Sequence, residues 1–208
     1  MKKVIEPKIL YFGTPVVLIS SLNEDGSTNL APMSSAWWLG QTCMLGMSTR
    51  SKTVQNLQRH GEVVLNLPSA DLVDNVNQLA LKTGKNPIPE YKQKMGYTFE
   101  PEKFEIADFS EIQSDIVKPS RVRECPVQLE GIVEKISNFG PEDDFLASIE
   151  IKIIRVHIDE ALIMCDTKNH IDPDKWDPLI MSFTEFYGLR EKLRPSRLAE
   201  AFRPLLVS

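Results

Sequence analysis

Between residues 15 and 67 the chain alternates short β-forming runs with turn clusters, and few helices separate them. Pro15–Leu22 (PVVLISSL) is the first run, and Asn23-Glu24-Asp25-Gly26-Ser27 is a turn cluster holding an Asp-Gly step. Thr28–Ser35 follows, so the pair reads as a hairpin. Cys43–Ser48 is a further short strand and Glu62–Leu67 another, closed by Pro68. Pro126–Ile136 and residues 149–158 are longer strands. In the second, Ile149, Ile151 and Ile153 share one face while Ile154, Val156 and Ile158 take the other, which predicts a bulge near Ile153-Ile154. Strands joined mostly without helices exclude a doubly wound parallel sheet and favour a small antiparallel barrel with peripheral helices.

Helical spacing is expected in three places. Thr53, Val54, Leu57 and Gln58 follow it, with Thr49 or Ser51 as N-cap and Gly61 as the stop. Leu72, Val73, Val76, Leu79 and Ala80 form one apolar face of a helix beginning at Ser69 and ending at Gly84. Glu191–Leu206 reads as a terminal helix interrupted at Pro195. Residues 85–120, with prolines and lysines among short motifs, are expected to form a long surface excursion. Loops of that length are uncommon unless they serve a site or an interface.

The chain of 208 residues is read as one domain, 1–208, with a C-terminal helical extension. Lys+Arg 24 against Asp+Glu 29 leaves a net charge of −5, which argues against whole-surface binding to nucleic acid but permits a local cationic pocket. No apolar run reaches the roughly 18–20 residues of a membrane span. Glu6 and Pro7 interrupt the basic N-terminus before a secretory core forms. Cys43, Cys125 and Cys165 make no CxxC pair and are expected as reduced thiols in a cytoplasmic protein, core residues rather than nucleophiles. Dinucleotide, Walker, HExxH and GxSxG motifs are all absent from the sequence, and His60, His157 and His170 lack metal-ligand spacing.

The positive signal lies between Asn29 and Thr53. Ser48, Thr49, Arg50, Ser51, Lys52 and Thr53 sit between a strand end and a helix start. Hydroxyls, cations and the free amides of a helix N-terminus form an anion site there, or else a capped helix with solvated charges. Upstream, Ala31, Pro32, Met33, Ser34 and Ser35 contain a proline that cannot donate to a ladder, so an edge or a break is expected. Small side chains there let a flat ring approach the backbone. Trp37 and Trp38 are expected in the core or at a dimer interface.

The segments NLAPMSSAWWLGQTCMLGMSTRSKTVQNL and EVVLNLPS resemble the flavin reductase-like family, as do RECPVQLEG, IEIKIIRVHIDEAL and IDPDKWDPLIMSFTEFYGL. The resemblance runs roughly from Thr14 to Leu198 and points to the branch holding flavoredoxin and component B of nitrilotriacetate monooxygenase. It implies a mainly β, antiparallel split β-barrel with peripheral helices. It also implies a homodimer, non-covalent FMN near the subunit interface, and NAD(P)H as co-substrate. By position, Ala31 to Ser35 run beside the isoalloxazine and Ser48 to Thr53 hold the phosphate. No side chain is expected to act as an acid or base, and no metal is implied. Asn66 either reaches the ring or makes a structural bond. Gly140-Pro141-Glu142-Asp143-Asp144-Phe145 stands where many family members carry Gly-Asp-His, and it has no histidine. That leaves open an electron carrier reduced by a partner protein. A monooxygenase or redox protein is the partner such a role implies.

Overall fold

The computed structural model describes residues 1–7, 9–167, 169–189, 191–194 and 196. Strands β1 (Phe12–Pro15), β2 (Val17–Leu22), β3 (Thr28–Met33), β4 (Ala36–Leu39) and β5 (Thr42–Ser48) come first. Helix α1 (Lys52–His60) and β6 (Glu62–Leu67) follow. A series of short elements comes next: α2 (Val73–Gln78), β7 (Lys82–Thr83), α3 (Glu90–Lys94), β8 (Thr98–Phe99), α4 (Lys103–Ile106), β9 (Glu111–Ile112) and β10 (Arg121–Val122). The long hairpin of β11 (Val127–Phe139) and β12 (Leu146–Ile158) and the small pair β13 (Ile180–Ser182) and β14 (Glu185–Tyr187) complete the described chain.

Seven strands form one antiparallel sheet in the order β3-β2-β6-β11-β12-β5-β4. Its two outer strands, β3 and β4, are separated in the chain only by Ser34 and Ser35. A sheet whose opposite edges lie two residues apart has to curl round on itself. The result is the expected split barrel, with β3 and β4 meeting at the seam. The expected bulge lies in β12: Arg155 pairs with Glu130 and Ile153 with Gly131, leaving Ile154 as the extra residue.

The barrel interior is filled by Val17, Ile19, Leu45, Leu65, Ile149 and Ile151, all buried. A second core lies on the other face of β2, where Val16, Leu18 and Leu30 pack with Val76, Leu79 and Phe104. β2 is therefore buried on both faces, which explains an apolar run without alternation at its start. The second core also corrects one expectation. Residues 85–120 are no loose surface excursion, because Phe104, Ala107, Phe109 and Val117 are buried and the segment forms a packed layer.

The helix expectations fare unevenly. Ser51 caps α1 by accepting from the Val54 amide at 3.1 Å, and Gly61 ends it in the left-handed region at φ 67°. The second helix is shorter than expected. After a single turn at Ala70–Leu72, α2 stops at Gln78, and Gly84 lies beyond a strand rather than at a helix end. Glu191 to Arg194 carry no helix, and the rest of the expected terminal helix, save Ser196, lies outside the described residues.

Candidate functional site

A cleft of about 440 Å³ opens between the outer strand β3 and the layer built from residues 79–103. Its floor is Ala31, Pro32 and Met33. Pro32 sits on an edge strand, where a missing N–H costs no ladder bond, so the proline expectation holds. One end is closed by Ser51, Lys52 and Thr53 at the start of α1. The Lys52 and Thr53 amides belong to the first helical turn and have no intrahelical acceptor, which leaves a positive end facing the cleft.

The two halves of the expected site are thus brought together, but not whole. Ser48, Thr49 and Arg50 turn towards the β11–β12 hairpin tip. The Thr49 amide donates to the Phe145 carbonyl at 2.8 Å, and the Ser48 hydroxyl accepts from the Arg50 amide at 3.3 Å. The Arg50 guanidinium lies 3.1 Å from the centre of the Phe145 ring and 5.7 Å from that of Tyr91. Ser34 lies in an adjoining apolar recess of about 240 Å³, which meets the cleft at Pro32, Met33, Ala80 and Met181. Ser35 makes the corner between β3 and β4: its hydroxyl pairs with that of Tyr11 at 2.9 Å and its carbonyl accepts from Gly46 at 2.8 Å.

The opposite wall comes from residues that sequence reasoning did not assign to the site. Lys82, Thr83, Gly84, Lys92, Tyr97 and Lys103 line it. The Lys92 ammonium donates to Thr83 Oγ1 at 3.2 Å and stands 5.0 Å from the Tyr97 ring centre. The Lys103 ammonium donates to Asn29 Oδ1 at 3.0 Å, and both residues are buried. Gly84 makes this approach possible, since a Cβ there would stand 2.6 Å from Asn29 Oδ1. The only sequence signal was the density of lysines in a long connection, and that signal names no partner.

These lysines disturb one another. Burial lowers Lys103 to about 8, and the charge of Lys92 adds to the effect. Burial and then Lys85 lower Lys92, while burial and then Lys52 lower Lys85. Lys52 is balanced by Glu24, which also pairs with Arg59 at 2.7 Å. Among the described residues no carboxylate lies within ion-pair distance of Lys85, Lys92 or Lys103. The cleft is therefore cationic along one wall and apolar along its floor, the chemistry of a site for a flat molecule carrying an anionic group.

The remaining candidates are structural. Asn66 is fully buried: it donates to the Leu18 carbonyl and the Ser20 hydroxyl at 3.0 Å each and accepts from the Val122 amide at 2.8 Å. This resolves its two readings in favour of the structural bond. His157 pairs with the buried Glu130. Asp115, Glu130 and His157 lie close enough to hold a metal. Protein donors already occupy the two carboxylates: three amides and His157 for Glu130, Arg121 and Arg155 for Asp115. Cys43 and Cys125 are buried, and burial pushes both thiols up, Cys43 to about 12, so neither is a nucleophile. Cys165 is exposed.

Comparison with known proteins bears on the family and the fold. Residues 9–184 match the model of the flavin reductase like domain. YdfE of Bacillus subtilis (strain 168), an uncharacterized protein, is 43% identical over 187 residues, 90% of this chain and 89% of that one. Flavoredoxin of Desulfovibrio vulgaris (Miyazaki F) superimposes with a TM-score of 0.77 at 19% identity, covering 96% of this chain and 100% of that one. Nitrilotriacetate monooxygenase component B from Bacillus cereus gives a TM-score of 0.72 at 19% identity, covering 88% of each chain. Fold and cleft define a split-barrel protein with a cationic cleft beside its edge strand β3. The chain belongs to the flavin reductase-like family, and that membership carries a flavin-related redox role.

Proposed function

We propose that the protein is an FMN-binding oxidoreductase of the flavin reductase type, moving a hydride from NAD(P)H to flavin. The observation that carries this reading is the cleft itself, where an apolar strand edge and a helix N-terminus face Lys82, Lys92 and Lys103, none of which has a carboxylate within ion-pair distance among the described residues. That donor set fits FMN. The phosphate monoester matches the Ser51–Thr53 end and the lysines, and the tricyclic ring matches the Ala31–Met33 floor.

Bound FMN would supply the redox chemistry, accepting two electrons and a proton as hydride and passing electrons on to free flavin, oxygen or a partner. The chain's own residues bind and orient. Lys52 and the first-turn amides of α1 hold negative charge at one end. Lys92 and Lys103 bring positive charge from the opposite wall, and Pro32 and Met33 exclude water from the floor. No described side chain needs to move a proton. Orientation and fixed charge are the protein's contribution.

A second reading, an electron carrier reduced by a partner protein, has one observation in its favour. Phe145 ends the stretch where many relatives carry histidine, and it stacks against Arg50. His157, the nearest histidine in sequence, is taken by Glu130. Anaerobic titration of the FMN-loaded protein separates the two. Rapid bleaching by NADH or NADPH supports the reductase. Bleaching by dithionite or a redox protein alone supports the carrier, and failure to bind flavin overturns both.

The same reading makes the protein a cytoplasmic homodimer with a monooxygenase or redox protein as electron partner. Trp37 and Leu39 support the dimer, being 58% and 77% exposed on one face of β4. Trp38, between them, turns inward against the barrel core. No described helix is long and apolar enough to cross a membrane.

A further inference from the structure

The apolar recess beside the cleft holds a hydroxyl with nothing to bind. Ser34, the first residue after β3, is 7% exposed and lines the recess, and its hydroxyl has no hydrogen-bond partner among the described residues. A buried hydroxyl without a partner costs free energy, so one left open in a cavity points to a ligand that supplies the acceptor. The recess encloses about 240 Å³ between Val16 and Val76 of the second core and Met181 and Phe186 of the β13–β14 pair. Among the described residues no charged side chain lines it. Tyr11 brings a second hydroxyl, paired with that of Ser35 at 2.9 Å. When Ser35 donates in that pair, Tyr11 keeps its own proton for another acceptor. The recess meets the cleft floor at Pro32 and Met33, the surface given to the flavin ring above.

We propose that this recess takes a small uncharged quinone as the electron acceptor, with a carbonyl oxygen received by the Ser34 and Tyr11 hydroxyls. This rests on the FMN reading given above. The recess separates a quinone from the other acceptors. Its volume lies below the range usual for drug-sized ligands, which suits one or two fused rings and not a second flavin with its ribityl chain. Walls without charge disfavour a phosphate or a carboxylate. Molecular oxygen needs no such space. A quinone offers a flat apolar body to Val76, Met181 and Phe186 and carbonyl oxygens to the hydroxyls. One nucleotide balances the step. The C4–H bond of NAD(P)H breaks and gives up two electrons and a proton, solvent supplies a second proton, and the two quinone carbonyls become hydroxyls as two O–H bonds form. FMN relays the electron pair. Ser34 and Tyr11 position the quinone and face the negative charge that gathers on its oxygen.

The test begins with binding alone. 1,4-Naphthoquinone is titrated calorimetrically into the oxidised, FMN-loaded protein without nucleotide, so that no turnover occurs. Naphthalene, the same two rings without oxygens, is the reference. Naphthoquinone is expected to bind about tenfold more tightly than naphthalene. Ser34→Ala is expected to raise the naphthoquinone Kd about threefold to tenfold and to leave that of naphthalene level, and Tyr11→Phe to act in the same direction on naphthoquinone alone. In steady-state assays the same variants are expected to raise KM for naphthoquinone while KM for NAD(P)H stays level. If Ser34→Ala does not fold, Tyr11→Phe and the comparison of the two ligands on the natural chain decide. Equal affinity for the two ligands, wild-type naphthoquinone affinity in the folded variants, or a rise in the nucleotide KM in place of the quinone KM overturns the assignment and leaves the FMN reading standing. Apoprotein that binds no flavin overturns both.

Discussion

His157 Nε2 lies 2.7 Å from the carboxylate of Glu130, a residue with no exposed surface. The same carboxylate accepts from the amides of Asp115, Ile116 and Val117 at 2.9, 2.7 and 3.0 Å. One side chain on β11 thus pins the return of the packed layer to the barrel. Burial alone would raise the Glu130 pKa, but the amide bonds and His157 outweigh it and hold it at about 2. A carboxyl depressed in the folded state stabilises above its unfolded pKa and loses that contribution as pH falls through the folded value. The contribution is about 3 kcal/mol, complete above about pH 5 and lost progressively towards about pH 2. Glu130→Gln is expected to lower stability by about that amount at neutral pH and to flatten the acid limb, as checked by urea unfolding across the range.

Gly84→Ala is expected to push the strap away from Asn29, because the new methyl would stand 2.6 Å from its Oδ1 and 3.3 Å from Lys52 Cγ. Overpacking of this kind costs about 1–3 kcal/mol. FMN affinity is expected to fall with stability, since the displaced strap carries part of the cleft wall. Isothermal titration beside thermal unfolding checks this, and a variant with unchanged affinity refutes the placement of the strap.

Arg50 and Lys52 are two positions apart in sequence and are expected to differ in effect. Lys52 lines the cleft, whereas Arg50 is stacked on Phe145. Lys52→Ala removes a charge-assisted contact of about 1.5–3 kcal/mol and is expected to weaken FMN by at least tenfold. Arg50→Ala is expected to leave FMN affinity within about threefold while destabilising the hairpin tip by about 1 kcal/mol, the scale of a cation–π contact. Equal losses of FMN affinity in the two variants would restore Arg50 to the phosphate site.

Trp37→Asp with Leu39→Asp is expected to convert a dimer to a monomer, because charges replace the apolar strip on β4. Light scattering during size exclusion reads the mass directly. Neither side chain belongs to the barrel interior, so circular dichroism is expected to stay native. A natural chain that is monomeric at micromolar concentration refutes the dimer.

Strand order was not open to sequence reasoning, but the existence of β2, β3, β5, β6, β11 and β12 was. The turn at Asn23–Ser27, the cap at Ser51, the stop at Gly61, the proline on an edge and the extra residue at Ile154 are all local events. Backbone preference and side-chain period decide them within a few residues, so the chain by itself determined them, together with the two short motifs that meet in the cleft. What the tertiary structure alone decided is which members of those motifs face that space. Thr49 and Arg50 were drawn to Phe145, 95 residues beyond Arg50, and Ser48 to Leu146. Lys103 was brought to Asn29 across 74 residues. Neither pairing leaves a periodic or local trace. Both follow from closure of the sheet at Ser34-Ser35 and from a second core on the outer face of β2, which carries α4 to the cleft. A lysine in a long connection looks solvated until the fold removes its water, and its ammonium then has to find a partner or give up its proton.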